Sequence, residues 1–320
     1  MMLTSIALAL SLVAAAAGPA LVVVNKGEST VSVIDLTAGT ILATLPTGHG
    51  PHEVAASGNG RWAVITDYGS QQAGSSLTVV DLQSLTVART ISLLPHTRPH
   101  GAAFLPDHRT VVVTSETSGA LLLVDVESGQ VTRTVPTGQR VSHMVAVTRD
   151  GRVAYTANIG SGSLSRLDLN GRDSARILPV GAQTEAIGLM PDGSQAWLGS
   201  NPTGKVFAVD VAAWKVIDSL QTSGMPYRIG FTPDGGTAVV TNPMANQVRI
   251  FDAATRAPRA VISLDADAQP LGLIFAPDNT TAWITLAGSS QVAELDLRTH
   301  SVRRHLPTGG GPDGIAYVVR

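Results

Sequence analysis

The chain has 320 residues, of which 44% are hydrophobic and 14% charged, with a formal net charge of −2 and no cysteine. The near-neutral charge, the lack of a basic stripe and an aromatic content of 4% exclude nucleic-acid binding by phosphate neutralisation or base stacking. Disulfides and thiolate chemistry are excluded outright, and no Gly-x-Ser-x-Gly elbow, phosphate-binding glycine loop or His-Glu-x-x-His helix supports hydrolase or nucleotide chemistry.

The chain opens on Ile6–Ala17, apolar throughout apart from Ser11 and closed by Ala15-Ala16-Ala17, an A-x-A cleavage site. The run is too short to span a bilayer with ease. It reads as a secretory signal peptide, with the departure that no Lys or Arg precedes it; a buried strand or a retained apolar anchor are the alternatives. Residues 1–20 are therefore expected to be a leader cleaved at about Ala17 to Ala20. Residues 21–320 are expected to form one domain, periplasmic or secreted, a monomer with no stable membrane insertion.

From Leu21 onward a unit of about 43 residues repeats seven times, a period that marks a propeller or solenoid. Each unit carries an apolar segment closed by aspartate, at Asp35, Asp81, Asp125, Asp168, Asp210, Asp252 and Asp296. Seven equivalent aspartates are scaffold: they precede a turn whose amides they cap. The sixth unit shows the plan, with strand-forming runs Tyr227–Phe231, Thr237–Thr241, Gln247–Phe251 and Arg259–Leu264 between turn residues. Four strands per unit predict an all-β, seven-bladed β-propeller. Leu21-Val22-Val23-Val24-Asn25 matches the second strand of a unit, whereas Pro312–Tyr317 matches a first strand. The C-terminal strand should therefore complete the N-terminal blade and close the ring.

Val240-Thr241-Asn242, Tyr155-Thr156-Ala157-Asn158, Thr30–Leu36, Leu45-Pro46-Thr47-Gly48 and Pro51-His52-Glu53-Val54-Ala55 together resemble the YVTN-type β-propeller repeat family, over essentially the whole mature chain. That resemblance implies the fold and an extracytoplasmic setting. It leaves function open, since related propellers include lactonases, lyases and cofactor-bearing subunits of redox enzymes.

What differs at one repeat position is where a site is expected. The first strand of each blade lines the channel, and its first positions read His52, His100, His143, Glu185, Tyr227, Leu271 and Asp313. Three imidazoles and a carboxylate converging on one axis suit a divalent metal: His52, His100, His143 and Glu185 are the expected ligands, with zinc, copper or iron as the ion. Direct contact with an organic ligand, or a purely structural polar ring, are the other readings. His49 and His96 lie in neighbouring loops on the same face, while His108, His300 and His305 read as surface residues. Arg98, Arg140 and Arg228 flank the ring and, with Tyr227 and Asp67, are candidate contacts for a small anionic ligand. Asp67 opens the longest insertion, Asp67–Ser76, and Asn25, Ser115, Asn158, Ser200 and Asn242 occupy its place in other units, where turn capping is the competing role. Glu116 is a further candidate to orient a ligating imidazole. Two functions remain: a binding or scaffold module presenting this face to a small molecule or protein, or a metal-dependent enzyme acting on a small organic acid or lactone, with Glu185 or Asp313 as base.

Overall fold

The computed structural model describes residues 18–320, so the expected leader lies outside the described residues except for its last three positions. Seven four-stranded antiparallel sheets form the ring, as the repeat predicts. The innermost strands of blades 2 to 7 are Pro51–Ala56, Pro99–Phe104, Ser142–Val147, Thr184–Leu189, Arg228–Phe231 and Pro270–Phe275. Blade 1 is composite: Pro312–Val319 is its innermost strand, followed by Pro19–Asn25, Thr30–Asp35 and Thr40–Pro46. The closing ladder runs from Pro19 opposite Val319 to Asn25 opposite Pro312. No sheet edge is left open at the junction. Among the described residues, no helix is long and apolar enough to cross a membrane.

Alternating apolar residues of the first three strands bury both faces of each sheet against the neighbouring blades. Val22, Val24 and Val33 of blade 1 meet Val54, Ile65 and Val80 of blade 2, for example. The seven repeated aspartates do the expected work: Asp35 accepts the N–H groups of Thr37 (2.7 Å) and Ala38 (2.9 Å), and Asp296 those of Arg298 (2.8 Å) and Thr299 (3.2 Å).

A repeated threonine sets the height of the channel residues. Thr114 Oγ1 accepts the Gly101 N–H (2.9 Å) and donates to the carbonyl of His143 in the next blade (2.7 Å). Thr241 links Arg228 to Leu271 in the same way, and Thr285 links Gly272 to Asp313. Each hydroxyl satisfies a donor left by an irregular inner ladder and stitches one inner strand to the next. Close approach is the condition: a Cβ on Gly272 would stand 2.2 Å from the Asp313 carbonyl oxygen, so only glycine fits there.

Candidate functional site

Six of the seven aligned first-strand residues are buried at one end of the channel: His52, His100, His143, Glu185, Tyr227 and Asp313. Leu271 is the apolar exception and is half-buried. The three imidazoles form a column. The His100 ring stacks on His143 at 3.5 Å between centroids and lies 4.1 Å from His52, while His52 and His143 stand 6.5 Å apart.

A second tier covers this one. The residue that follows Asn25, Asp67 and their equivalents is Lys26, Tyr68, Glu116, Ile159, Asn201, Pro243 and Ala287 in turn around the ring. Four of these are polar, and each engages the tier below. Lys26 Nζ donates to His52 Nε2 at 2.6 Å and lies 3.5 Å from Asp313. Tyr68 packs edge-on against His52 and His100 and donates its hydroxyl to Glu116 at 2.7 Å. The other Glu116 oxygen meets His143 Nδ1, and Asn201 donates to Glu185.

Of this tier the sequence singles out Glu116 alone, as a group to orient an imidazole, and Lys26, Tyr68 and Asn201 pass unnamed. Asp67, the expected ligand contact, turns into its own blade, where it accepts from the Gly48 N–H (3.0 Å), Ser76 (2.7 Å) and Thr78 (3.0 Å). Asn25 and Asn158 make the same inward bonds, to Thr30 and Ser32 and to Ser163 and Ser165. Strand alternation then aims the next residue, Tyr68 or Lys26, at the channel. The insertion itself is mostly an extended hairpin, since Trp62–Gly69 and Ala73–Asp81 continue the strands and hold Tyr68 over the imidazoles.

Glu53 was missed for a related reason. It follows His52 directly, and strict alternation would send it to the opposite side of the strand. The ladder is irregular between Pro51 and Val54, so both residues reach the centre. There Glu53 pairs with Arg228, from the far side of the ring. Of the other two arginines, Arg98 stacks on the outer side of the cluster through Tyr68 and donates to the Ser70 carbonyl (2.6 Å), and Arg140 donates to the Gly160 carbonyl (2.9 Å). His49 and His96 bond to Ser70 and Ser118 in exposed loops.

Of the expected metal set, His52 and His100 come together, and Glu53 joins them: one ligand atom from each lies within 4.8 Å of the others. His143 and Glu185 stand beside this group, with His143 Nε2 3.5 Å from a Glu185 oxygen. Asp313, one of the two expected bases, is fully buried between His52 (2.9 Å), Lys26 and the Tyr227 hydroxyl (3.2 Å).

The electrostatics separate the three histidines. Burial pushes His100 well below the usual imidazole value, helped by His143 and His52. Burial also lowers His52, and the Asp313 carboxylate only partly opposes it. Burial pulls on His143 too, but its bonds to Glu116 and Glu185 outweigh that and raise it. Asp313 is held well below the carboxylate range: burial would raise it, and His52, Arg228 and Lys26 override that. Of the three imidazoles, His143 therefore holds a proton to the highest pH, and His52 and His100 release theirs first. A lysine ammonium can only donate, so His52 Nε2 is an acceptor and its proton is on Nδ1, towards Asp313. Both nitrogens of His100 are buried without a hydrogen-bond partner, whereas His52 Nδ1 faces Asp313 at 2.9 Å and His143 Nε2 faces Glu185 at 3.5 Å. Buried polar groups are rarely left unpaired, so His100 is the member of the column whose nitrogens call for a further partner.

Comparison with known proteins locates the architecture. No protein-family model matches the chain, and no curated protein matches it. Among solved structures it is similar to hydrazine synthase from Kuenenia stuttgartiensis, at 21% identity and a TM-score of 0.74 over 83% of this chain and 88% of that one. It is also similar to a functionally unknown protein from Desulfotomaculum acetoxidans, at 14% identity and a TM-score of 0.76 over 93% and 98% of the two chains. These likenesses establish the fold alone.

Proposed function

We propose that this propeller is a YVTN-type binding module working outside the cytoplasm, and that its channel-mouth cluster takes one divalent transition metal. The observation that carries the reading is His100, fully buried with neither ring nitrogen partnered, among other neutral or acidic ligands. His52, Glu53 and His100 supply two imidazoles and a carboxylate, a donor set suited to zinc, copper or iron. Four carboxylates at the cluster, Glu53, Glu116, Glu185 and Asp313, against Lys26 and Arg228 favour a cation over the anionic ligand expected from the flanking arginines. Export accords with the Ala15-Ala16-Ala17 site, and cleavage after Ala17 would leave the strand Pro19–Asn25 whole.

The enzyme alternative draws on the His52–Asp313 pair, which has the form of an oriented base. Every acid in the cluster is already engaged, and Glu53, Glu185 and Asp313 are buried, which favours binding over turnover. Calorimetric titration of tag-free protein with zinc chloride at pH 7.5 tests the reading. Saturation at one equivalent supports it, and no heat with zinc, copper(II) or iron(II) refutes it.

A further inference from the structure

We infer that Lys26 is the affinity-setting residue of this site, an internal cation that occupies the place of the metal and must leave when the metal binds. The inference rests on the metal reading and adds its exchange step. Lys26 Nζ lies 2.6 Å from His52 Nε2 and 3.5 Å from Asp313. The lone pair it engages is the one His52 would offer a metal, and one lone pair serves one electrophile at a time. Arg228 does the same to Glu53 from the other side. Both internal cations thus hold proposed ligands, but only one is free to go. The Lys26 side chain is 42% exposed, whereas that of Arg228 is 9% exposed.

The backbone at Lys26 is fixed, since its N–H donates to the Gly311 carbonyl (3.1 Å) and the Gly27 N–H to that of Gly310 (3.0 Å). The moving part is therefore a flexible four-carbon stem, which can swing its ammonium into water without disturbing the fold. Lys26 also stands at the mouth above His52, so its departure opens the column that it covers. The charge balance supports the exchange: removing one positive charge as a dication enters leaves the buried carboxylates better neutralised than adding the dication to both.

Chelator-competition titration with zinc chloride on tag-free, full-length protein tests this, using wild type, Lys26→Met and Lys26→Arg. Lys26→Met should bind zinc about tenfold tighter, and Lys26→Arg, which keeps the cation, should stay close to wild type. Acetylation of the lysine amines, read by mass spectrometry, gives an independent measure. Zinc should speed labelling of Lys26 and leave Lys205 and Lys215, on blade 5, unchanged. If wild type and Lys26→Met bind zinc equally and labelling is unaffected, the exchange is overturned while the metal site stands. If neither takes up zinc, both fall.

Discussion

Asp67 is a carboxylate where three other blades use a buried asparagine, and the difference should be measurable as stability. It is 1% exposed, and burial raises it from 3.8 to about 6 despite bonds from Ser76, Thr78 and the Gly48 N–H. The shift is about two units, and each unit is worth about 1.4 kcal/mol, so an ionised Asp67 costs the fold up to about 3 kcal/mol at neutral pH. The sign follows from the raised value. The group's favourable contribution is complete below its unfolded value near 3.8 and is lost as pH rises through about 6. Asn25 shows the alternative: its amide oxygen accepts the Gly309 N–H (3.0 Å) while its nitrogen donates to Thr30 and Ser32. Asp67→Asn should adopt that pattern, accepting from Gly48 and donating to Ser76 and Thr78. Thermal unfolding at pH 7.5 should show a gain of about 1–3 kcal/mol, a rise of several degrees, and the gain should shrink towards zero near pH 4. A variant that is no more stable at pH 7.5, or whose gain does not depend on pH, refutes the account of this position.

Other perturbations test other parts. Thr114→Val leaves the Gly101 N–H and the His143 carbonyl unpaired and should cost about 2–3 kcal/mol in denaturant unfolding, most of it restored by Thr114→Ser. Glu53→Gln strands the buried Arg228 guanidinium and should destabilise by about 3–5 kcal/mol, while Glu53→Met with Arg228→Met should recover most of that; equal losses in both variants would show that charge is not the cause. Deleting Pro312–Arg320 removes an entire inner strand and should abolish cooperative thermal unfolding, so a truncated protein with an unchanged Tm contradicts the closure. Because burial lowers both His52 and His100, zinc affinity should hold to below pH 6.5 before protons compete, and a calorimetric series that falls off above pH 7 would contradict their environment.

The fold was legible because a repeat of seven averages out local ambiguity: one unit's strands are confirmed by six others, and mismatched termini betray the closure. The ring of His52, His100, His143 and Glu185 was legible for the same reason, since equal register means equal height. What the repeat hid lies where a strand departs from strict alternation. Glu53 reaches the channel through an irregular ladder, and the covering tier begins one residue after the polar leads Asn25, Asp67 and Ser200. Chemistry at those next positions, Lys26, Tyr68, Glu116 and Asn201, was the available signal. It spans a cation, a phenol, a carboxylate and an amide, whereas the residue before it is Asn, Asp or Ser in six of the seven blades. Charge near a ring says nothing of direction: Arg228 reaches the centre, while Arg98 and Arg140 bond loop carbonyls.

The most direct test is an anomalous difference map, at the zinc edge, from crystals of tag-free protein grown with one equivalent of zinc. One peak is expected about 2.0–2.2 Å from ring nitrogens of His52 and His100 and from a Glu53 oxygen, with Lys26 turned out to solvent. A map without a peak at the column, or with zinc only on His49 and His96 in the exposed loops, would contradict the site.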